Sequence, residues 1–306
     1  MAKLIILCGL PGSGKSTYAL DYKAMDDAFG TDLTAIHSSD SIRNELFGDA
    51  SFQGDNARVF ELMHKRVKDD LRAGKTVIYD ATNITRKARK GAINLAGPDD
   101  TVECHIIWAD PVECRRRDSL RERSVGQEVI DKMLRRWQSP WIDEGFDTVQ
   151  VFLNQADFNQ VAYISSMTDN MHIPHDNPHH TLNVWDHCLQ AYSNLEQIYQ
   201  RRPVPEPLKM AAYWHDIGKP YTKFFKPGED IAHYYDHHCV GGYLAYGLFL
   251  NTNHLLRNTE MDDICLISWI IANHMEGFCN SKYYKELNSQ WKWYLEILHE
   301  ADLSAH

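Results

Sequence analysis

The sequence predicts two domains of different class: an α/β domain on a largely parallel, doubly wound sheet, followed by an all-α domain. Three observations predict this. An apolar run, Leu4 to Cys8, opens straight into the glycine-rich stretch GLPGSGKST at residues 9–17. Four further apolar runs alternate with helical patterns as far as residue 153, the rhythm of parallel strands with crossover helices. After residue 170 that rhythm gives way to helical patterns, and thirteen of the sixteen histidines lie there.

Composition narrows the class. A chain of 306 residues holds one large domain or two ordinary ones. No apolar run reaches membrane-spanning length, and the N-terminus enters the first strand with no room for a signal peptide. The expectation is a cytoplasmic protein without a membrane partner. A net charge of −10 argues against electrostatic coating of long nucleic acid, though not against a small basic pocket that grips a chain end. Seven scattered cysteines without a C-x-x-C pair read as reduced, buried thiols. The polar, proline-punctuated MTDNMHIPHDNPHH marks a junction, so the expected division is 1–155, a linker over 156–175, and 176–306.

The first strand earns its assignment from an unbroken apolar run, and the loop after it from spacing. Gly9 and Gly14 frame four residues, and Lys15-Ser16 complete G-x-x-x-x-G-K-[ST]. Such a turn points backbone N–H groups inward at a helix N-terminus, where they cradle phosphate. Lys15 is expected to reach the terminal phosphates and the Ser16 hydroxyl to hold Mg²⁺. The nucleotide-binding set is then Gly9, Pro11, Gly12, Ser13, Gly14, Lys15, Ser16 and Thr17, with ATP or GTP as ligand. A plain strand-turn-helix with glycines for geometry is the competing reading; the complete strand–loop–helix context weighs against it.

The remaining strands are expected at Leu33–Ile36, Thr76–Tyr79, Val102–Trp108 and Val149–Leu153. In doubly wound sheets ligands sit beyond the carboxyl ends of the strands, which directs attention to Ser38-Ser39-Asp40, Asp80-Ala81-Thr82-Asn83 and Asp110. Asp40 precedes the helical SIRNELFG, and Arg43 is three residues on, so both face one edge. A carboxylate there can take a proton from an attacking hydroxyl, and the arginine can hold a phosphate on the acceptor. The rival for Asp40 is a simple helix N-cap, a role for which Ser39 competes. The arginine-dense Glu113–Ser124 segment is expected to be helical. It is either an ion-paired surface helix or a lid that brings Arg117 or Arg121 onto the phosphates.

Taken together, GLPGSGKST, SSDSIR, YDATN and RRRDSLRER resemble the phage-type polynucleotide 5′-kinases over about residues 1–155. The resemblance implies Asp40 as general base, Arg43 as the contact to the acceptor's phosphate, Arg121 as the lid arginine and Arg117 as a second one. The family's D-T-N motif carries one inserted residue here, in Asp80-Ala81-Thr82-Asn83.

In the second half, His215-Asp216 ends an apolar helical run, LKMAAYWHDIGKP, where a charged pair is costly unless coordinated or hydrogen-bonded. His187, His237-His238, His274 and Asp302 complete a mixed imidazole and carboxylate set suited to one or two transition-metal ions such as Mn, Fe, Co, Ni or Zn. This array resembles the HD-superfamily phosphohydrolases over about residues 170–306. The resemblance assigns His187, His215, Asp216 and Asp302 to the H…HD…D signature and adds His237 and His274 for a second metal, with His238 as an alternative to His237. It also implies phosphate contacts from His180, Lys219 and Thr222. The chain ends four residues after Asp302, so either the domain is minimal or a further segment follows. Trp291 and Trp293 read as core residues.

The fold expectation is thus a P-loop kinase domain, parallel sheet with flanking helices, followed by an all-α HD domain. The leading functional expectation is healing of broken RNA or DNA ends. ATP would phosphorylate a 5′-OH, a bound metal would serve removal of a 2′,3′-cyclic or 3′-phosphate, and a nucleic-acid ligase would act next. A small-molecule kinase fused to a nucleotidase is the alternative, and a binding protein without turnover the third. By resemblance, a homo-oligomer is also expected.

Overall fold

The computed structural model describes residues 1–30, 33–52, 54–177, 181–198, 203–250, 261–279 and 281–305. The chain divides into two compact units: Met1–Met133 with Pro140–Ala156, and Leu134–Ser139 with Asp157–His306.

The first unit runs β1 (Lys3–Cys8), α1 (Lys15–Ala28), β2 (Thr34–Ser38), α2 (Ser39–Phe47), α3 (Asn56–Arg72), β3 (Thr76–Asp80), α4 (Arg86–Ile93), β4 (Thr101–Trp108), α5 (Pro111–Ser119), α6 (Gln127–Leu134, its last residue in the second unit) and β5 (Thr148–Leu153). The sheet order is β2-β3-β1-β4-β5, and every pairing is parallel. Central β1 sets Lys3 opposite Thr76 on one side and Thr101 on the other. Leu4 to Cys8 are wholly buried, which is why this strand reads as an unbroken apolar run. Edge strand β5 alternates exposed and buried residues instead. Helix α3 buries Val59, Met63, Val67 and Leu71, one every four residues, and Asp55 caps it by accepting from Arg58 N at 3.0 Å. At the sheet's carboxyl edge Ser38 lies opposite Asp80, so the loops after β1, β2 and β3 converge there.

The second unit runs α7 (Gln160–Met171), α8 (Val184–Ile198), α9 (Glu206–Trp214), α10 (Lys219–Thr222), the strands β6 (Phe224–Phe225) and β7 (Ala232–His233), α11 (His237–Phe249), α12 (Met261–Asn273), α13 (Glu276–Cys279), α14 (Lys282–Glu286) and α15 (Ser289–Leu303). Helix α8 packs on α9 and α15, and α12 on α9 and α11. Trp291 is buried on α15.

Three expectations are corrected. The region read as a linker holds α7, whose Tyr163 hydroxyl donates to Leu244 O at 3.0 Å and whose Gln160 amide donates to Leu248 O at 2.7 Å. Its polar residues hid these helix-to-helix bonds. The segment Leu134–Ser139 groups with the second unit: Trp137 is wholly buried, edge-on to Tyr243, and Ser139 Oγ lies 2.8 Å from Ser268 Oγ. The helical half also contains a short hairpin, with Phe224 opposite His233.

Candidate active sites

In the first unit GLPGSGKST wraps the N-terminus of α1. Gly14, the residue before that helix, has φ 92°, the left-handed region that side chains resist. A Cβ on it would meet the Asn154 amide nitrogen at 1.8 Å, and that amide donates to Ser13 O at 3.0 Å. Lys15 donates to Gly9 O and Leu10 O at 3.0 and 2.9 Å and is buried. Burial pushes its pKa down against the pull of the Asp80 carboxylate, so this cation is poised to gain from an anion. Ser16 is exposed toward the cleft and donates to Asp80 Oδ2 at 2.8 Å. The pair offers a hydroxyl and a carboxylate where Mg²⁺ would sit. Pro11, Gly12 and Gly14 line the same cleft, whereas Ser13 is buried and Thr17 exposed.

That cleft has a volume of about 290 Å³. Asp40 stands at its edge with a side chain 61% exposed. It lies within the first turn of α2, and the position before the helix is Ser38, which makes no side-chain cap; the N-cap reading of Asp40 is therefore set aside. Arg43 donates to Asp40 Oδ1 at 2.8 Å and to Asn56 Oδ1 at 3.0 Å. Arg123 Nη1 lies 3.9 Å from Asp40 Oδ2.

The Glu113–Ser124 segment is helical only to Ser119, at the end of α5. Asp118 turns the chain there, accepting from Ser124 Oγ, Val125 N and Gly126 N at 2.6, 3.2 and 3.0 Å. Arg121 thus leaves the helix and lines the cleft. Arg117 stays on α5, with Nη1 3.4 Å from Gly12 O. Sequence reasoning missed Asp80 as partner of Ser16, Arg123 beside Asp40, Asn154 against Gly14 and the ring of Phe60 in the cleft wall. Asp80 carried a signal in its place at the end of β3, and Arg123 in its place within the arginine-dense segment.

In the second unit, six predicted residues meet in one buried cluster. His187 Nε2 lies 2.8 Å from Asp302 Oδ1 and 3.3 Å from His215 Nε2. His237 Nε2 lies 3.1 Å from His274 Nε2 and 3.3 Å from Asp216 Oδ1. Asp216 spans both groups, its Oδ2 3.4 Å from His215 Nε2. Gly218 makes this closeness possible, since a Cβ on it would fall 2.0 Å from His237 O.

The second nitrogens decide what the cluster can do. The Nδ1 atoms of His187, His215, His237 and His274 lie 2.8–3.0 Å from the carbonyls of Ala305, Ala212, Tyr234 and Ile271. A carbonyl only accepts, so each neutral ring carries its proton on Nδ1 and turns an Nε2 lone pair inward. Lone pairs facing one another and two carboxylates at these distances repel unless a metal ion or an added proton sits among them. Fixing the tautomer through a carbonyl is how metal-binding imidazoles are oriented. The donor set fits one or two transition-metal ions held by His187, His215 and Asp302, and by His237, His274 and Asp216. Burial, then the neighbouring His237 and His215, push the His274 pKa well down and keep that ring neutral.

Lys219 Nζ lies 2.6 Å from Asp216 Oδ2, beside the cluster. The buried Thr222 hydroxyl donates to Gly218 O at 3.1 Å, one turn back. His238 belongs to none of the ligand groups among the described residues, which leaves His237 as the ligand. His180 lies outside the described residues.

Residues 4–140 match the family model described as AAA domain. The parallel five-stranded sheet and glycine-rich loop of the first unit fit a P-loop kinase domain. Among curated proteins, it is similar to transcription factor bHLH140 of Arabidopsis thaliana, 28% identical over 166 residues covering 52% of this chain and 17% of that protein. It is also similar to the L-seryl-tRNA(Sec) kinase of Methanococcus maripaludis, 26% identical over 169 residues covering 52% of this chain and 62% of that one. The chain therefore spans less than two thirds of the length of either relative. Two solved structures, of the Pnkp1/Rnl/Hen1 complex and the Pnkp1/Rnl/Hen1 RNA repair complex, share 22% identity with it. They cover 52% of this chain and 48% and 51% of theirs, with TM-scores of 0.35 and 0.41. No helix among the described residues is long and apolar enough to cross a membrane.

Proposed function

We propose that this chain is a bifunctional enzyme that converts broken nucleic-acid ends into ends a ligase can join. One observation carries the reading: each compact unit holds a polar cluster of its own, Lys15, Ser16 and Asp80 beside a glycine-rich loop in the first and four imidazoles with two carboxylates in the second.

In the first unit, Gly12, Gly14 and Lys15 bind the nucleotide's phosphates, with Arg117 reaching over the loop. Ser16 and Asp80 would hold Mg²⁺, which would neutralise charge on the phosphates. Asp40 takes the proton of the acceptor 5′-hydroxyl, and Arg43 holds the phosphate next to it. Arg121 offers its guanidinium to the transferring phosphoryl group from the lid. Phe60 supplies a flat apolar wall beside these cations, suited to a base next to a phosphate.

In the second unit, bound transition-metal ions would activate water and polarise a phosphoryl oxygen. The chain's own part is to fix six ligands and to hold the substrate's phosphate with Lys219. The substrate is a terminal 2′,3′-cyclic phosphate or 3′-phosphate.

The test incubates the protein with ATP, Mg²⁺, Mn²⁺ and a short 5′-OH oligonucleotide ending in a cyclic phosphate. Gain of a 5′-phosphate and loss of the cyclic end are expected; if neither end changes, the reading is wrong. A second reading, a kinase for a small hydroxyl acceptor fused to a nucleotidase, draws on the similarity to a kinase named for L-seryl-tRNA(Sec). Under it a nucleoside competes as well as the oligonucleotide does.

A further inference from the structure

His175 lies in the stretch that sequence reads as linker, yet it is 1% exposed. Its strap is held on several sides. Pro174 bridges Asn183 in antiparallel fashion, Val184 N donates to Ile173 O at 3.1 Å, and Ala232 N donates to Asp176 O at 2.8 Å. Lys223 Nζ reaches Pro174 O at 2.5 Å and Asp176 Oδ2 at 2.6 Å. The Tyr234 hydroxyl donates to the carbonyl of His175 itself.

The ring's polarity follows from its partners. His175 Nδ1 lies 2.8 Å from Leu182 O, which can only accept, so Nδ1 carries the proton. His175 Nε2 lies 3.1 Å from Lys219 Nζ. An ammonium has three donors and no acceptor, so Lys219 donates and the imidazole accepts. Lys219 Nζ also lies 2.6 Å from Asp216 Oδ2, an ion pair with that carboxylate. The ammonium also sits 5.5 Å from the centre of the Tyr234 ring. The His175 ring stands edge-on to His187 at 5.3 Å but belongs to none of the ligand groups among the described residues.

We propose that His175 is a positioning residue of the second site. It tethers the Lys219 ammonium by one N–H while the Asp216 carboxylate attracts it as an ion pair, and so holds the ammonium where a remaining N–H can meet a phosphoryl oxygen of the substrate. Without the tether, a four-carbon side chain would be fixed at a single point and would spend entropy whenever it met the phosphate. The proposal rests on the reading of the second unit as a phosphohydrolase.

The experiment uses the full chain loaded with Mn²⁺, in wild-type form and as His175→Leu, His175→Gln, Lys219→Met and the His175→Leu/Lys219→Met double variant. Calorimetry measures binding of inorganic phosphate, elemental analysis the metal content, and thermal melting the fold. Kinetics on a nucleoside 2′,3′-cyclic phosphate follow. His175→Leu is expected to keep its metal and to bind phosphate about tenfold more weakly, the scale of one hydrogen bond to a charged group. KM should rise by a similar factor with little change in kcat. His175→Gln, whose amide oxygen can accept from Lys219, should restore most of the affinity, and the double variant should be no worse than Lys219→Met. Unchanged phosphate affinity in His175→Leu, loss of metal from that variant, or multiplied losses in the double variant would each overturn the proposal. A wild-type protein that binds metal and phosphate but hydrolyses no ester sinks the phosphohydrolase reading instead, and the phosphate affinities still decide His175.

Discussion

Asp40→Asn is the sharpest test of the kinase assignment, because the substitution removes a base and little else. Asparagine keeps an oxygen where Asp40 Oδ1 accepts from Arg43 at 2.8 Å. Arg43 also retains Asn56 at 3.0 Å, so its buried guanidinium is not stranded. The Asp40 side chain is 61% exposed, and an ion pair with so wet a partner contributes about 0.2–1 kcal/mol to stability. Melting should therefore move by only a few degrees. Catalysis should move far more: a positioned general base is worth about 10²–10⁴ in rate, so kcat for phosphorylation of a 5′-OH oligonucleotide should fall by that factor. The KM for ATP should hold, because the contacts of Lys15 and Ser16 are untouched. The assay follows transfer of labelled γ-phosphate to the oligonucleotide, with hydrolysis of a cyclic phosphate as the internal control. A rate loss below tenfold would refute the role of Asp40 as base. Equal loss of hydrolysis would refute the separation of the two sites.

Three further outcomes follow. His215→Ala with Asp216→Ala should empty the second site of metal by elemental analysis and abolish hydrolysis while phosphorylation continues; retained metal would mean the cluster is not the ligand set. Gly218→Ala drives a Cβ to within 2.0 Å of His237 O, backbone against backbone, and should cost on the order of 1–3 kcal/mol in denaturant melts. A change under ~0.5 kcal/mol would show that the turn and α11 can part without penalty. Hydrogen bonds from Arg116 and then Arg117 lower the Glu113 pKa to about 2. The contribution of that carboxylate is complete above its unfolded value near 4.5 and is lost as pH falls from there through about 2. Glu113→Gln should flatten this part of the acid stability profile; an unaltered slope in that window would refute the coupling.

What the sequence determined by itself was whatever depends on neighbours along the chain. The phosphate loop was legible because its glycines, Lys15 and Ser16 must follow one another to curl a backbone around phosphate. His215-Asp216 was legible because a charged pair ending an apolar helix needs a partner. The five strands were legible to within one or two residues, most plainly β1, because a strand covered on both faces such as Leu4–Cys8 has no polar position to blur it. Tertiary packing decided the rest. Whether Asp40 caps or serves the cleft depended on α2 starting two residues earlier than SIRNELFG, at Ser39. Arg121 reached the cleft only because Asp118 gathers the chain beyond α5, and the Thr222 hydroxyl meets a carbonyl one turn behind it. His175 looked like a polar residue in a linker until Tyr234, Leu182 and Lys219, up to 59 residues away, enclosed it. Spacing along the chain sets backbone geometry and helix faces. Which lone pair meets which proton across such separations is decided only when packing excludes water and leaves each polar atom a single partner.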